Sequence, residues 1–171
     1  MRSILLPPGS SREATQIALD FYNYADMETV CRFIERTYFT VPDNRDYRWT
    51  NELTIKMVFL TLLYSETFYI MDSEPALQRN YADLLMLVRP QMRQYQVFDF
   101  LLEFKYVRLS DIKLRGEEVR GMRDDELVAL PAVATLLDEA QQQVPGYRET
   151  IIATHGEHLR LRCFSVVAIG Y

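Results

Sequence analysis

The order of local patterns along the chain predicts an α/β domain in which helices pack on a mixed, mostly antiparallel sheet. Three observations carry this. Apolar residues recur at helical spacing through the first third of the sequence. The middle holds three short runs rich in aromatic and large aliphatic residues, separated by turn signals. A second helical stretch follows, and after it one more apolar run with strand character.

The elements follow in order. Residues 1–9 read as a linker or tail, since Ile4, Leu5 and Leu6 are cut short by Pro7, Pro8 and Gly9. Ser10 or Ser11 caps a first helix reaching about Tyr24, with Ile17, Phe21 and Tyr24 on one face. Asp26 caps a second, with Val30, Phe33, Ile34 and Tyr38 at helical spacing. Pro42, Asp43 and Asn44 signal a turn. Thr50 then caps a third helix over residues 51–65, whose buried face is Ile55, Val58, Phe59, Leu62 and Leu63, with Glu52 in its first turn. Strand character begins at residues 68–71. It returns at 82–88, where only Asp83 interrupts an apolar run, and again at 97–107. These three segments predict an antiparallel meander. Past Ser110 the chain is polar, with Gly116 and Gly121. A helical stretch starts at Asp124 or Asp125; Pro131 either kinks it or sits in the first turn of a second helix, and residues 132–144 continue it. Pro145 and Gly146 are expected to break it, with a short helix after them. Residues 162–169 form the last strand. The division expected is a single domain over 10–171, made of a helical extension, 10–45, and a core, 50–171.

With 171 residues the chain can bury a core without disulfide or metal staples. Cys31 and Cys163 have no CxxC spacing and read as free thiols of a reducing compartment. No stretch approaches the roughly 20 apolar residues of a membrane span. The expectation is an intracellular protein, cytoplasmic or nuclear, with no membrane partner. A net charge of −5 argues against a simple nucleic-acid coat protein, which would be basic. It does not argue against clustered carboxylates whose charge a bound cation would neutralise. Residues 89–115 carry Arg89, Arg93, Lys105, Arg108, Lys113 and Arg115 against few acids, so a locally basic face is expected there.

The chemistry concentrates on residues 97–107. Strand side chains alternate with period two, which puts Phe98, Phe100, Leu102, Phe104 and Tyr106 on one face and Asp99, Leu101, Glu103, Lys105 and Val107 on the other. Glu103 and Lys105 therefore point the same way from a strand apolar enough to be central. An acid and a lysine in such a place are costly unless paired or functional. Asp83 intrudes on its own apolar run in the same manner. If the two strands are neighbours, Asp83 lies beside Glu103, and two such carboxylates repel unless a cation joins them. An all-oxygen set suits Mg2+ or Mn2+. Together with a lysine, it is what phosphodiester hydrolysis requires.

Asp83 followed by Glu103-Phe104-Lys105 at the end of an apolar strand resembles the D…ExK signature of the PD-(D/E)XK nuclease superfamily. The likeness is greatest to the nuclease-like domain that often follows an AAA-ATPase-like domain in one long protein. Tyr81-Ala82-Asp83-Leu84-Leu85 resembles that family's strand ending in Arg-x-Asp-Leu. Leu101-Leu102-Glu103-Phe104-Lys105 resembles its Glu-Phe-Lys strand, and Ala140-Gln141 with Gly146-Tyr147 resembles a helical Ala-Gln…Gly-Tyr segment. The resemblance covers roughly residue 26 onward. It implies a restriction-endonuclease-like core of αβββαβ order. It implies Asp83 and Glu103 as ligands of Mg2+ or Mn2+, Lys105 as the residue that orients water, and Glu52 and Gln141 as supporting members, Glu52 as a further metal ligand. DNA as substrate, an AAA-ATPase-like partner and a homodimer for double-strand cleavage are further implications. The chain departs from the pattern where Asn80 and Tyr81 replace the usual glycine and arginine, and it carries no GxxxxGK[ST] phosphate loop.

Plainer readings stand beside these. An isolated ExK is also a surface ion pair. Glu52 suits any helix first turn. Gln141, with Gln142 and Gln143, suits a solvated face. His155 and His158, and Glu74 on the first hairpin, are weaker metal candidates. At the level of function, the rivals are a nuclease fold that binds nucleic acid or regulates an ATPase without turnover, and a protein-interaction domain.

Overall fold

The computed structural model describes residues 10–39, 51–73, 76–77, 80–81 and 83–170. The proposed tail (1–9), the turn at 42–44, Thr50 and Glu74 lie outside them. Helices α1 (Ser10–Tyr24) and α2 (Met27–Ile34) are joined by Ala25 in the left-handed region (φ 58°). Asp26 caps α2 by accepting from the Thr29 amide. A π-helical turn, Glu35–Phe39, extends α2. Helix α3 (Glu52–Leu63) is capped by Asn51, which accepts from the Thr54 amide at 3.0 Å and fixes where Glu52 enters the fold.

Then come β1 (Tyr69–Ser73), a small antiparallel ladder of β2 (Ala76–Leu77) and β3 (Asn80–Tyr81), and β4 (Leu84–Val88). A 3-10 helix, Pro90–Tyr95, leads to β5 (Asp99–Arg108). Short helices α4 (Leu109–Ile112), α5 (Gly116–Gly121) and α6 (Asp124–Val128) precede α7 (Pro131–His155), and β6 (Leu161–Gly170) is the last element. The main sheet has the order β1-β4-β5-β6. β1, β4 and β5 form the expected antiparallel meander, and β6 runs parallel to β5, returning through α7. The mixed sheet flanked by helices is that of a restriction-endonuclease-like fold.

Strand alternation divides the core into two layers. Phe100, Leu102 and Phe104, with Leu84, Met86 and Val88, pack against α1, α2 and α3. Phe21 stacks on Phe100 with ring centroids 4.1 Å apart, and the Tyr22 hydroxyl donates to the Leu63 carbonyl at 3.0 Å. Leu85, Leu87 and Leu101 face the other way, onto Tyr147 and Ile151 of α7 and Leu161 of β6. β4 is buried on both faces, which is why its sequence runs apolar without alternation.

Two local expectations are corrected. The cap of α3 is Asn51. Pro145 does not break α7, which runs unbroken for 25 residues to Gly156 (φ 95°). A proline inside a helix removes one backbone bond and crowds the carbonyl four residues back, at about 3 kcal/mol. The buried side chains Tyr147 and Ile151, just beyond it, hold the second half of α7 on the sheet and outweigh that cost.

Candidate functional site

Leu84 pairs with Leu102 and Leu85 with Leu101, so one step beyond the ladder Asp83 lies opposite Glu103. Asp83 occupies a bend, and its side chain takes over where backbone pairing stops: the Phe104 amide donates to Asp83 Oδ2 at 2.6 Å. This bond fixes the carboxylate against β5 between Glu103 and Lys105. Glu103 is 3% exposed and Lys105 half-buried, both on the α7 side of the sheet. The Lys105 ammonium donates to Glu103 Oε1 at 2.7 Å. Glu103 Oε2 is buried and has no hydrogen-bond partner among the described residues. An acceptor left in that condition ordinarily costs 1–3 kcal/mol or more (about that range for a buried polar group), and it marks a place for a cation or an ordered water.

The charges act on one another. Burial pushes the Glu103 carboxyl up, the bond and charge of Lys105 oppose this, and Asp83 and Glu52 push it further up. Burial also works against the Lys105 ammonium, but its bond to Glu103 and the charges of Glu103, Asp83 and Glu52 outweigh it, and its pKa is raised. Glu52 is raised by burial and then by Asp83, while Lys105 and Lys56 oppose. Glu52 is thus within electrostatic reach of the strand residues from the first turn of α3.

Two further residues of this neighbourhood carry only a weak signal in the sequence. Lys56, one turn after Glu52, is 4% exposed. A lysine among Ile55, Val58 and Phe59 on the packed face of α3 was the available signal. Tyr147 of α7 is buried, and its hydroxyl is pushed up by burial and by Glu103 and Asp83, with Lys105 opposing. Its signal was the Gly-Tyr pair quoted above. Gln141 is exposed on α7, beside the buried Ala140, and makes no hydrogen bond to Asp83, Glu103, Lys105 or Glu52. His155 and His158 are exposed. Asp99 shares the Glu103 face but serves packing: it is fully buried, takes both Arg93 nitrogens at 3.0 Å, and accepts from the Val88 and Arg160 amides. The basic face expected over 89–115 is partly spent inside the fold, Arg93 on Asp99 and Lys105 on Glu103.

The donor set fits a hard divalent ion. Mg2+ is held by one or two carboxylates, the rest of its shell being water and substrate oxygens. Asp83 and Glu103 Oε2 would be the two, with Glu52 within electrostatic reach. Among the described residues no group of three or more histidine, cysteine, aspartate or glutamate side chains stands where it could hold a metal ion, so Asp83, Glu103 and Glu52 do not form a ready three-carboxylate cage.

The family model described as the PD-(D/E)XK nuclease superfamily matches residues 50–170. The chain belongs to this superfamily. The match spans α3, the sheet and α7, and so takes in Glu52, Asp83, Glu103 and Lys105. No curated protein and no solved structure matches the chain. Nuclease-type chemistry is the activity of this superfamily, and divalent metals are its usual cofactors. Among the described residues no helix is long and apolar enough to cross a membrane.

Proposed function

We propose that this chain is a Mg2+- or Mn2+-dependent phosphodiesterase that hydrolyses nucleic acid, with DNA as its substrate. One observation carries the reading: a buried carboxylate oxygen, Glu103 Oε2, stands without a partner opposite Asp83 and beside Lys105. A divalent ion bound by Asp83 and Glu103 would acidify a water and offset the charge that builds on the phosphate. Asp83 is held for this by the Phe104 amide, so it need not reorganise. Lys105 is kept protonated by its three acidic neighbours. It acts as a donor, turning from Glu103 Oε1 to a water or a phosphate oxygen, and stabilises charge there. Glu52 adds a third carboxylate from α3, and Lys56 limits the repulsion among them. Gln141, beside the inward stripe of α7, is the proposed outer member that meets solvent-side substrate.

The same reading carries partners. Cleaving both strands of a duplex takes two sites, hence two copies of the chain, and an ATPase-like module is the companion that the family resemblance favours. The chain would work inside the cell, where its substrate is. The test is cleavage of plasmid and of single-stranded DNA with Mg2+ or Mn2+ by the wild type, Asp83→Ala and Lys105→Ala. Cleavage lost in both variants and on chelation is expected. Equal activity in all three sinks the mechanism, and binding without cleavage by the wild type transfers support to a nuclease fold without turnover.

A further inference from the structure

Away from this site, two guanidinium groups share one aromatic ring. Arg160 and Arg162 each hold their Cζ 4.7 Å from the centroid of Phe98, the half-buried residue just before β5. Arg160 is fixed further: its Nη1 donates to the Gln96 carbonyl, and its backbone amide donates to Asp99. Both side chains are exposed. Neither pairs with a carboxylate among the described residues, whereas Arg36, which also lies over a ring, spends its charge on Glu13. Asp99, which accepts from the Arg160 amide, is buried and already holds Arg93 and the Val88 amide. Among the described residues these two positive charges therefore have no carboxylate partner, and they are held in place on a protein of net charge −5.

A guanidinium stacked on a ring keeps most of its N–H fork free, and that fork matches a phosphate. Holding it beforehand lowers the entropy lost on binding. Residues 160 and 162 are roughly 7 Å apart along an extended chain, which suits phosphates of neighbouring nucleotides on one strand. We infer that Arg160 and Arg162, pinned over Phe98, form a second phosphate-binding point for the nucleic acid strand beyond the position of cleavage. The inference rests on the nuclease reading for its polyanion, but not on any site residue. Phe98 precedes Glu103 by five residues, about 17 Å along β5. Phe98 also belongs to the α1–α3 side of the sheet, and Glu103 to the α7 side. A substrate must span several nucleotides to reach both points, so the arginines act on long substrates only.

The test compares wild type, Arg160→Ala/Arg162→Ala and Arg160→Lys/Arg162→Lys, each checked for an unchanged circular dichroism spectrum. Binding of a labelled single strand of about 20 nucleotides is followed in EDTA over a range of salt. The alanine pair should bind about tenfold more weakly, and the slope of log K against log salt should fall by about 1.4, the value for two phosphate contacts on single strands. The lysine pair should keep most of the slope, since its charge remains. With Mn2+ present, the alanine pair should raise KM for the long strand and leave hydrolysis of bis(p-nitrophenyl) phosphate unchanged. Unaltered affinity and slope in the alanine pair overturn the inference and leave the nuclease reading intact. Arginine-dependent binding without cleavage by the wild type does the reverse. A wild type that binds no oligonucleotide, or only a polyanionic peptide, overturns the phosphate point as well.

Discussion

Replacing Lys105 with methionine removes the hydrogen-bond partner that Glu103 has among the described residues while keeping the bulk of the side chain. Glu103 Oε1 then joins Oε2 as a buried oxygen without a hydrogen bond. Breaking one half of a buried ion pair costs 3–5 kcal/mol, and about 3 is expected here. The low end applies because the Lys105 side chain keeps 20% exposure and Glu103 can take up a proton. For a chain of this size that is a fall in Tm of roughly 6–12 °C. The pH dependence has a definite sign. The folded-state pKa of Glu103 is already raised, chiefly by burial. Stability tied to such a group is present below its unfolded pKa, about 4.3, and is lost as pH rises through the folded value. Lys105→Met raises the folded value further, so the gap to wild type should be small near pH 4 and widen toward about pH 8. Urea unfolding of both proteins across that range measures it. A gap under about 1 kcal/mol at pH 8, or one independent of pH, would refute the reasoning. The variant should also bind Mn2+ about tenfold more tightly by calorimetry, because the ammonium competes for the same carboxylates.

Other outcomes follow from the packing. Asp99→Ala leaves Arg93 and two amides without their acceptor and should lose about 3–5 kcal/mol in urea unfolding, with Mn2+ affinity unchanged. Pro145→Ala restores a donor inside α7 and relieves crowding. After the greater freedom it gives the unfolded chain, it should raise stability by about 1–2 kcal/mol, seen as a higher Tm. Tyr22→Phe deletes the bond to the Leu63 carbonyl and should cost about 1–1.5 kcal/mol. No change in Tm there would mean that α1 contributes little to holding α3 and its Glu52.

The sheet and half of the site were legible because strands follow a local rule. Alternation alone places Glu103 and Lys105 on one face, and the apolar flanks mark β5 as central. Asp83 was visible as an intruder in an apolar run, but its hold on the Phe104 amide depends on where the β4 ladder ends, a tertiary matter. Lys56 and Tyr147 stayed unassigned because their meaning comes from which helix face meets the sheet. Asp99 shows the limit from the other side: alternation groups it with Glu103, and only the Arg93 contact and the amides around it separate a packing acid from a ligand. Pro145 misleads for a related reason. Helix-breaking chemistry is local, while the burial of Tyr147 and Ile151 that overrides it is not.

The proposed chemistry needs a divalent ion held by Asp83 and Glu103, in exchange with the Lys105 ammonium. Anomalous diffraction from crystals soaked in Mn2+ tests this most directly. A peak beside Asp83 and Glu103 Oε2 is expected, with Lys105 Nζ moved off Oε1. Saturating Mn2+ that leaves no peak there, and Lys105 still bonded to Glu103, would contradict it.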